Sequence, residues 1–288
     1  MTAVPTRDLC ARALLWALLW LTLGATSAQA QGKVTAHYAI SMTGVTIGEI
    51  NWQIEIGDTL YRTSASGKAS GVLSVLMNGE GEVAAQGTVG ADALTPKSYI
   101  STITDDDGTI TLRMTFAEGV ASETMTPRPP ERKDRLPLTE ADRRDVADPL
   151  SAVLLVTSLG GGTLAASDCG HTLKIFDGRR RFDLLLSYAR MEKIEIGKGY
   201  RGPVLVCSVV LKPLAGYLAD SMIVKYVAGR RNMELWFAPV AGTSIVAPVR
   251  VLMPTPIGTL KIDADQFVAV AVPPMPAPVQ TAPLPPPQ

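Results

Sequence analysis

The sequence predicts a mostly β protein built on one strongly curved antiparallel sheet, a half-barrel or barrel, with one or two short helices. Apolar and polar residues alternate over most of the chain, and this period of two gives a strand one buried and one solvated face. Glycine-containing turn pairs such as Asn78-Gly79 and Asp107-Gly108 separate the alternating runs. The alternation also changes phase at Gly48, which indicates a bulge that bends the strand. A strand series of this length has to curl or split into layers.

The first thirty residues have the pattern of a secretory signal peptide. Arg7 and Arg12 open the segment, and an apolar run over residues 13–24 follows. This run is shorter than the roughly 20 residues that a membrane-spanning helix requires. A small-x-small motif ends at Ala30, so we expect cleavage between Ala30 and Gln31 and export of the remaining chain. An uncleaved membrane anchor is the alternative.

The remaining chain carries almost no net charge. The whole sequence has 27 basic and 27 acidic residues, and without the two arginines and one aspartate of residues 1–30 the numbers are 25 and 26. Such a balance produces no field that attracts nucleic acid or an anionic membrane surface. We therefore expect no nucleic-acid partner and, after cleavage, no integral membrane segment.

The alternating runs predict the strands of a single β-rich domain over residues 31–268. In the first half the runs cover residues 34–42, 45–56, 59–68, 81–89, 96–103, 109–116 and 120–126. In the second half they cover residues 171–176, 181–196, 202–213, 220–227, 231–239, 245–255 and 258–267. Residues 71–81 do not alternate, and we expect a short helix or a buried loop there.

Three stretches depart from the strand pattern. Residues 127–147 combine prolines with dense charge and are predicted to form a surface connection. Asp148 can cap a helix that starts at Pro149 and ends at the glycines 160–162. Residues 269–288 are predicted to be a disordered proline-rich tail, either a spacer or a polyproline segment that binds a partner.

Cys169 and Cys207 are the two cysteines outside the predicted signal peptide. In an exported protein a disulfide is the simplest interpretation, and closing a loop of about 39 residues would stabilise the fold by about 4 kcal/mol. A metal site at Cys169 and His171 is an alternative, with Cys207 and His37 as the remaining donors, but zinc needs three or four ligands. A catalytic Cys–His pair would require a free thiolate. We expect no metal and no cofactor.

Two charged turns resemble binding motifs. Asp177-Gly178 predicts a hairpin turn, and we expect the following Arg179–Arg181 to face solvent rather than to hold a phosphate or carboxylate. Asp105–Asp107 suggests calcium, but a strand follows Gly108 at once, which favours a tight turn.

The sequence contains no motif of a familiar enzyme class. The nucleophile elbow G-x-S-x-G, the phosphate-binding loop and the dinucleotide fingerprint are all missing. The paired carboxylates of a glycosidase are placed by the fold and leave no sequence signature. We therefore predict no catalytic residues and a non-enzymatic protein. Facing carboxylates, or a serine in contact with His37 or His171, would instead indicate a hydrolase.

Four aromatic residues lie within alternating runs, namely Tyr38, Trp52, Phe182 and Trp236. Core packing is the default interpretation for side chains at such positions. If the sheet is a half-barrel, the same four side chains could line an apolar cavity, and we take them as candidates for ligand contact.

The chain resembles the bacterial domain-of-unknown-function family 3108 over about residues 35–265. The resemblance rests on the stretch "DPLSAVLLV", the turn "FDGRR" and the late strands "MELWFAP" and "PVRVLMPTPIGTLKI". It implies an exported, periplasmic protein of Gram-negative bacteria with a curved sheet like that of the periplasmic lipoprotein carriers, and no assigned activity. It also implies that Cys169 and Cys207 link the strand at 172–176 to the strand at 204–211.

These observations lead to three functional hypotheses. We expect a periplasmic envelope protein that holds a lipid, an acyl chain or a lipoprotein segment in its curved sheet. The alternative is a structural or interaction protein of the cell envelope that acts through its surface and its proline-rich tail. A hydrolase whose site is formed only by the fold is the third.

Overall fold

The structure of the protein is a computed structural model that describes residues 31–71, 79–128, 134–228 and 230–272. The predicted signal peptide and Ala30 lie outside these ranges. The predicted helix or loop over residues 71–81 lies outside them from 72 to 78, and its last residues 79–81 begin a strand instead. The proline-rich residues 273–288 also lie outside the described ranges. The predictions for the residues outside these ranges are therefore not addressed by the structure.

The described residues contain one sheet of fifteen strands. In chain order these are β1 (Gln31–Met42), β2 (Val45–Ile56), β3 (Leu60–Ala69), β4 (Gly79–Val89), β5 (Leu94–Asp105), β6 (Gly108–Ala117), β7 (Val120–Thr126), β8 (Leu155–Val156), β9 (Thr172–Phe176), β10 (Arg181–Glu195), β11 (Lys198–Gly199), β12 (Arg201–Ala215), β13 (Met233–Pro239), β14 (Ile245–Thr255) and β15 (Gly258–Val272). The described α-helices are α1 (Pro149–Ala152) and α2 (Met222–Ala228).

The strands follow one path of hydrogen-bonded neighbours from β7 down to β1, then through β15, β14, β13, β12 and β10 to β9. Neighbouring strands on this path are antiparallel, while the two-residue β11 pairs parallel with β15 and β8 pairs with β14. The first and last described strands lie side by side, with Gln31 opposite Val272. The predicted mostly β, antiparallel, barrel-like fold is confirmed.

The phase change at Gly48 corresponds to a bulge. Ile40 lies opposite Gly48 and Ser41 lies opposite Thr46, so Ile47 is the extra residue in β2. An extra residue on one strand increases the local twist and bends the pair. The bulge predicted from the sequence is therefore present, one residue from the glycine that indicated it.

A short segment nearly closes the barrel between the two end strands of the path. We call residues 144–147 the strap. The N–H of Asp145 donates to the carbonyl of Gly119 beside β7 (2.7 Å), and the N–H of Ala147 donates to the carbonyl of Lys174 in β9 (2.9 Å). The N–H of Phe176 donates back to Ala147 (3.0 Å). Residues 127–147 were predicted as a surface connection. In the strap Arg144 and Asp145 are exposed, whereas Val146 is buried and the backbone pairs with both edges of the sheet.

Three hydrophobic clusters fill the described part of the molecule. The first joins β1–β3 to β12–β14 and includes Val34, Ile54 and Val206. The second is formed by β9–β14 with α2 and the segment before β9, and it includes Leu205 and Cys207. The third packs Phe176 of β9 against β4–β7 across the strap, and it includes Met114, Tyr99 and Val146.

The two halves of the sheet differ in how many faces they bury. Along β2 the residues alternate between buried and exposed. Along β12 consecutive residues from Val204 to Cys207 are all buried, and they divide between the first and second clusters. The second half of the sheet therefore has a core on each side.

The helix predicted from Asp148 to the glycines 160–162 is wrong in length. Asp148 does cap it, but α1 ends at Ala152, and Leu155 and Val156 form β8. These two residues lie opposite Val246 and Ile245 in β14, and each is buried in a different cluster. Burial on both sides of a strand outweighs the local helix signals here.

The strand predicted over residues 220–227 is wrong, because this segment forms α2. Ser221 begins the helix: its Oγ accepts from the N–H of Val224 (3.3 Å) and its carbonyl accepts from the N–H of Lys225 (3.0 Å). The helix packs Val227 against the second cluster and leaves Met222 exposed. A serine before an apolar run is a helix-start signal that the strand prediction overlooked.

The predicted start of the tail at residue 269 is also wrong. Strand β15 continues to Val272, and its residues 269–272 pair with the first residues of β1. The ordered domain therefore extends four residues beyond the predicted boundary.

Candidate functional site

A cavity of about 490 Å³ lies beside the strap, and we call it the seam cavity. Four separate parts of the chain form its wall besides the strap: the connection before β5, the β6–β7 turn, the residues from α1 to β8, and the start of β9. The lining residues are Asp92–Lys97, Phe116, Glu118, Gly119, Asp145–Ala147, Ser151, Ala152, Leu154–Val156 and His171–Lys174. Its size falls within the usual range for small-molecule sites.

The lining is apolar inside and charged at the edge. Its buried members are Pro96, Val146, Ser151, Leu154, Leu155, Val156 and Leu173, of which only Ser151 is polar. Its exposed charged or titratable members are Asp92, Lys97, Glu118, Asp145, His171 and Lys174. A cavity of this kind matches an amphipathic molecule whose apolar part is buried and whose polar part remains in water.

The β6–β7 turn fits closely against the strap. Glu118, Gly119 and Asp145 all have positive φ, with values of 51°, 75° and 51°. A Cβ atom added at Gly119 would lie 3.0 Å from Oδ1 of Asp145. Conformation and space therefore both favour glycine at this position of the cavity wall.

A buried polar group lies next to the cavity. Asp148 is fully buried, and its Oδ1 accepts from the N–H groups of Leu150 (3.0 Å) and Ser151 (2.9 Å). Its Oδ2 has no hydrogen-bond partner within the described residues. Burial raises the pKa of this carboxyl above its ordinary value, although the hydrogen bonds from Ser151 and Leu150 oppose the shift.

Ser151 connects this carboxyl to the aromatic residues of the sheet. The Tyr61 hydroxyl donates to Oγ of Ser151 (2.7 Å), and Ser151 itself lines the cavity. Burial raises the pKa of Tyr61, and burial raises the pKa of Tyr99 to about 12. Both phenols therefore stay protonated at neutral pH, and Tyr61 acts as a hydrogen-bond donor that positions Ser151.

The four aromatic residues that were candidates for ligand contact lie outside the seam cavity. Tyr38, Trp52 and Trp236 belong to the first cluster, and Phe182 packs against the second. The rings of Tyr38 and Trp52 are 6.2 Å apart, and the Tyr38 hydroxyl donates to the carbonyl of Pro248 (2.8 Å). None of the four lines the seam cavity, and their packing is that of core residues.

Trp236 is held between two arginines. The guanidinium of Arg250 lies 4.5 Å from the centre of its ring and that of Arg190 lies 5.2 Å away. Glu234 accepts from the indole N–H (2.8 Å) and from Arg190 (2.7 Å), and this hydrogen bond from Arg190 lowers the pKa of Glu234. These contacts satisfy the charges internally and leave no free anchor for a ligand.

Cys169 and Cys207 form a disulfide, with their Cα atoms 5.5 Å apart. Both residues are fully buried in the second cluster. The predicted disulfide is confirmed. Cys169 ends the 3-10 helix Ala166–Cys169 just before β9, so the bond ties the segment that leads into β9 to β12. Both sulfur atoms are bonded to each other, so the metal-thiolate and catalytic-cysteine alternatives are wrong.

The two histidines contact no serine among the described residues. His37 Nδ1 lies 2.6 Å from Oδ1 of Asp265 on an exposed surface, and His171 lies at the edge of the seam cavity. Within the described ranges, no cluster of three or more histidine, cysteine, aspartate or glutamate side chains could hold a metal. No helix in these ranges is long and apolar enough to cross a membrane.

Of the predictions for the two charged turns, one is confirmed and the other is wrong for one residue. Asp105 lies opposite Gly108 in the β5–β6 hairpin and its Oδ1 accepts from the N–H of Asp107 (3.0 Å), so the tight turn is confirmed. The expectation that Arg179–Arg181 face solvent is wrong for Arg181, whose side chain is 7% exposed. Its guanidinium donates to Asp183 and to the carbonyl of Phe182, both at 2.6 Å.

The residues of the seam cavity were not predicted from the sequence. They come from strand ends, turns and the strap, and no single periodic pattern connects them. Leu94–Lys97 of β5 and Ser151 and Ala152 of α1 are part of the lining. The sequence predicts a strand from Pro96 and a helix start at Asp148, but neither pattern indicates a cavity.

Three comparisons with known proteins give one family match and one solved structure of low sequence identity. A crystal structure of a "Beta-barrel-like Protein of Domain of Unknown Function DUF1849 from Brucella abortus" aligns over 84% of this chain and 98% of that one, with a TM-score of 0.49 and 8% identity. A search of curated proteins finds no match. The model of the family described as "Protein of unknown function (DUF3108)" matches residues 35–265. The chain therefore belongs to the DUF3108 family.

Proposed function

We propose that this protein binds the acyl chain of a lipid or lipoprotein in the seam cavity, as a non-enzymatic component of the periplasm and cell envelope. The observation that supports this proposal best is the lining of the cavity. Its buried surface is apolar apart from one serine, and its edge is charged. Removing an acyl chain from water contributes about 0.8 kcal/mol for each buried methylene.

The structure of the strap supports an entry route for such a ligand. Most neighbouring strands are joined by ladders of many residues, whereas among the described residues the backbones of the end strands β7 and β9 are linked through the short strap, and the third cluster packs between them. The strap residues Asp145–Ala147 are themselves part of the cavity wall. A small displacement of the strap would open the cavity sideways, because few backbone hydrogen bonds hold it.

The proposed location rests on two features of the chain. The first thirty residues have the pattern of a secretory signal peptide. The protein also has a disulfide, and disulfides persist in oxidising compartments such as the periplasm. Both features are consistent with a protein that meets lipids or lipoproteins after export.

Binding of the fluorescent fatty acid parinaric acid tests the proposed ligand. We expect saturable binding to the wild-type protein and at least a tenfold loss in Ala152→Phe, which places a large side chain in the cavity. Ala166→Phe is the matched control, because Ala166 is exposed and does not line the cavity. Thermal melting shows whether each variant is folded.

Native mass spectrometry of protein purified from membranes provides a second readout, and we expect a co-purifying lipid of defined mass. Equal binding of parinaric acid by a folded Ala152→Phe variant would place the ligand elsewhere. The absence of any lipid or fatty-acid binding by the wild-type protein would refute the proposed function.

A further inference from the structure

The exposed face of strands β2–β6 contains a second concave region, on the side of the sheet away from the buried residues. Three adjoining hollows of about 570, 340 and 480 Å³ lie on it. The first two share Gln53, Ser64, Ala84 and Ile100, and the last two share Asn51, Ser66, Glu82 and Thr102. Because they share these residues, the hollows form one continuous groove, which we call the polar trough.

The strand register explains why the sheet is hollow there. Ser64 of β3 lies opposite Ala84 of β4, so the middle of the face carries two small side chains. Gln53 lies opposite Ser64 on one side, and on the other side Arg113 of β6 lies opposite Ile100 of β5. Longer side chains on the outer strands β2 and β6 therefore flank the small side chains of β3 and β4.

Two cations of the trough have no partner among the residues that the structure describes. Within the described residues, Arg62 and Arg113 form neither an ion pair nor a side-chain hydrogen bond. The nearby Glu55, which lies opposite Arg62, pairs instead with Lys33 (2.9 Å). Both guanidiniums are exposed and line the largest of the three hollows, so they are available to an anionic group.

Polar side chains that can hydrogen-bond sugar hydroxyls line the same hollow. Gln53 and Gln86 supply carboxamides, which both donate and accept, and Ser64, Ser98 and Thr115 supply hydroxyls. Within the described part of the chain, neither of these carboxamides has a side-chain hydrogen-bond partner. Apolar side chains such as Ala84 and Ile100 complete the lining, and they can pack against the apolar faces of sugar rings.

The charges of the trough favour a sparsely charged ligand. Glu80 and Glu82 lie at the end away from the two arginines, where Glu49 pairs with Lys68 (3.1 Å). The carboxylates of Glu80 and Glu82 would repel a ligand with a phosphate at every unit, such as a nucleic acid. A chain of sugars with separated acidic groups avoids this repulsion and still provides carboxylates for the arginines.

We propose that the polar trough binds an acidic oligosaccharide, with Arg62 and Arg113 holding its carboxylates and the carboxamides and hydroxyls beside them binding its sugar hydroxyls. A guanidinium can bind a carboxylate through two parallel hydrogen bonds, which makes arginine suited to this role. This site is separate from the seam cavity and does not depend on the acyl-chain proposal.

Calorimetric titration with a hyaluronan tetrasaccharide, in which every second sugar carries a carboxylate, tests the proposal. We expect binding by the wild-type protein and at least a tenfold loss in Arg62→Gln and in Arg113→Gln. Arg201→Gln is the matched control, because Arg201 is an exposed arginine that pairs with Glu195 away from the trough. Ala84→Leu raises the floor of the trough, and we expect it to weaken binding without changing parinaric acid binding.

Maltotetraose and inorganic phosphate distinguish the sources of affinity. Neither should match the acidic tetrasaccharide if both the sugar hydroxyls and the carboxylates are recognised. Equal affinity for maltotetraose would refute the role of the arginines, and equal affinity for phosphate would reduce the site to an anion site. No binding of the tetrasaccharide, or unchanged binding in both arginine variants with normal melting, would overturn the proposal.

Discussion

Strands β2–β6 and strands β12–β14 belong to the same sheet, but they bury different numbers of faces. In β2 the sequence "NWQIEI" alternates, and only one face is buried. In β12 the sequence "VLVC" is continuously apolar, and both faces are buried. A run without alternation is expected for a strand that is covered on both sides.

This difference shows how one sheet supports two kinds of surface. In the second region, α2 and the residues around β8 and Cys169 cover one face, and the disulfide fastens that cover to β12. In the first region the corresponding positions are polar and exposed, and they form the polar trough. The first region keeps a face available for a ligand, while the second gains stability from its additional core.

Among the features that distinguish the two regions, the disulfide is expected to contribute most to the free energy of unfolding. Replacing both Cys169 and Cys207 by serine should lower the free energy of unfolding by about 4 kcal/mol, because the unfolded chain regains the freedom of a long loop. Urea unfolding measures this loss, and each single replacement should cost a similar amount. Hydrogen exchange should increase around Cys169 and α2 and remain unchanged in β2–β6.

An unchanged unfolding midpoint in reductant would show that the covering segment is held by packing alone. The two regions would then differ in composition but not in how they are stabilised.

Alanine substitutions at neighbouring positions test the burial pattern directly. Leu205→Ala and Val206→Ala should cost about 3 and about 2 kcal/mol, because these adjacent residues lie in different clusters and each substitution leaves a cavity. In β2, Ile54→Ala should cost about 3 kcal/mol and Gln53→Ala less than about 0.5 kcal/mol. Chemical denaturation of the four variants provides the comparison. A similar cost at all four positions would contradict the assignment of one buried face to β2.

The smallest expected effect concerns Asp148, which lies between the strap and α1. Its pKa is raised in the folded protein, so this group supports folding below its unfolded pKa, and that support is lost as pH rises through its folded pKa. Asp148→Asn keeps an oxygen that can accept from Leu150 and Ser151 but carries no charge. The melting temperature of this variant relative to wild type should therefore increase from acidic to neutral pH.

Asp148→Ala removes the helix cap as well and should cost about 1 kcal/mol at acidic pH. A difference between Asp148→Asn and wild type that does not change with pH would show that the carboxyl keeps one charge state over the tested range.

Sequence reasoning succeeded where the structure repeats a local rule. Strand positions follow from alternation, the bulge near Gly48 follows from a change of phase, and the disulfide follows from two cysteines in a chain that is predicted to be exported. The strands and the bulge depend on neighbouring residues, and the disulfide is predicted because only two cysteines lie outside the predicted signal peptide. For that reason they could be identified before any contact between distant residues was known.

The missed features all depend on distant contacts. Leu155 and Val156 became a strand because they pair with β14, about ninety residues later in the chain. The strap pairs with two edges that come together only when the barrel forms. The seam cavity is bounded by four turns or strand ends from separate parts of the sequence, and no single one of them indicates a cavity.

The pairing of β1 with β15 has a consequence for the order of folding. β1 can form a hairpin with β2 early, but its other edge stays open until the last described strand is available. A sheet that joins the two ends of a long chain is expected to form slowly. During synthesis, the edge of β1 and its apolar residues Val34 and Ala36 remain accessible to aggregation or to a chaperone. A chain truncated before Gly258 would lack β15, which lies between β1 and β14. The two halves of the sheet would then stay unjoined even if the earlier strands had formed.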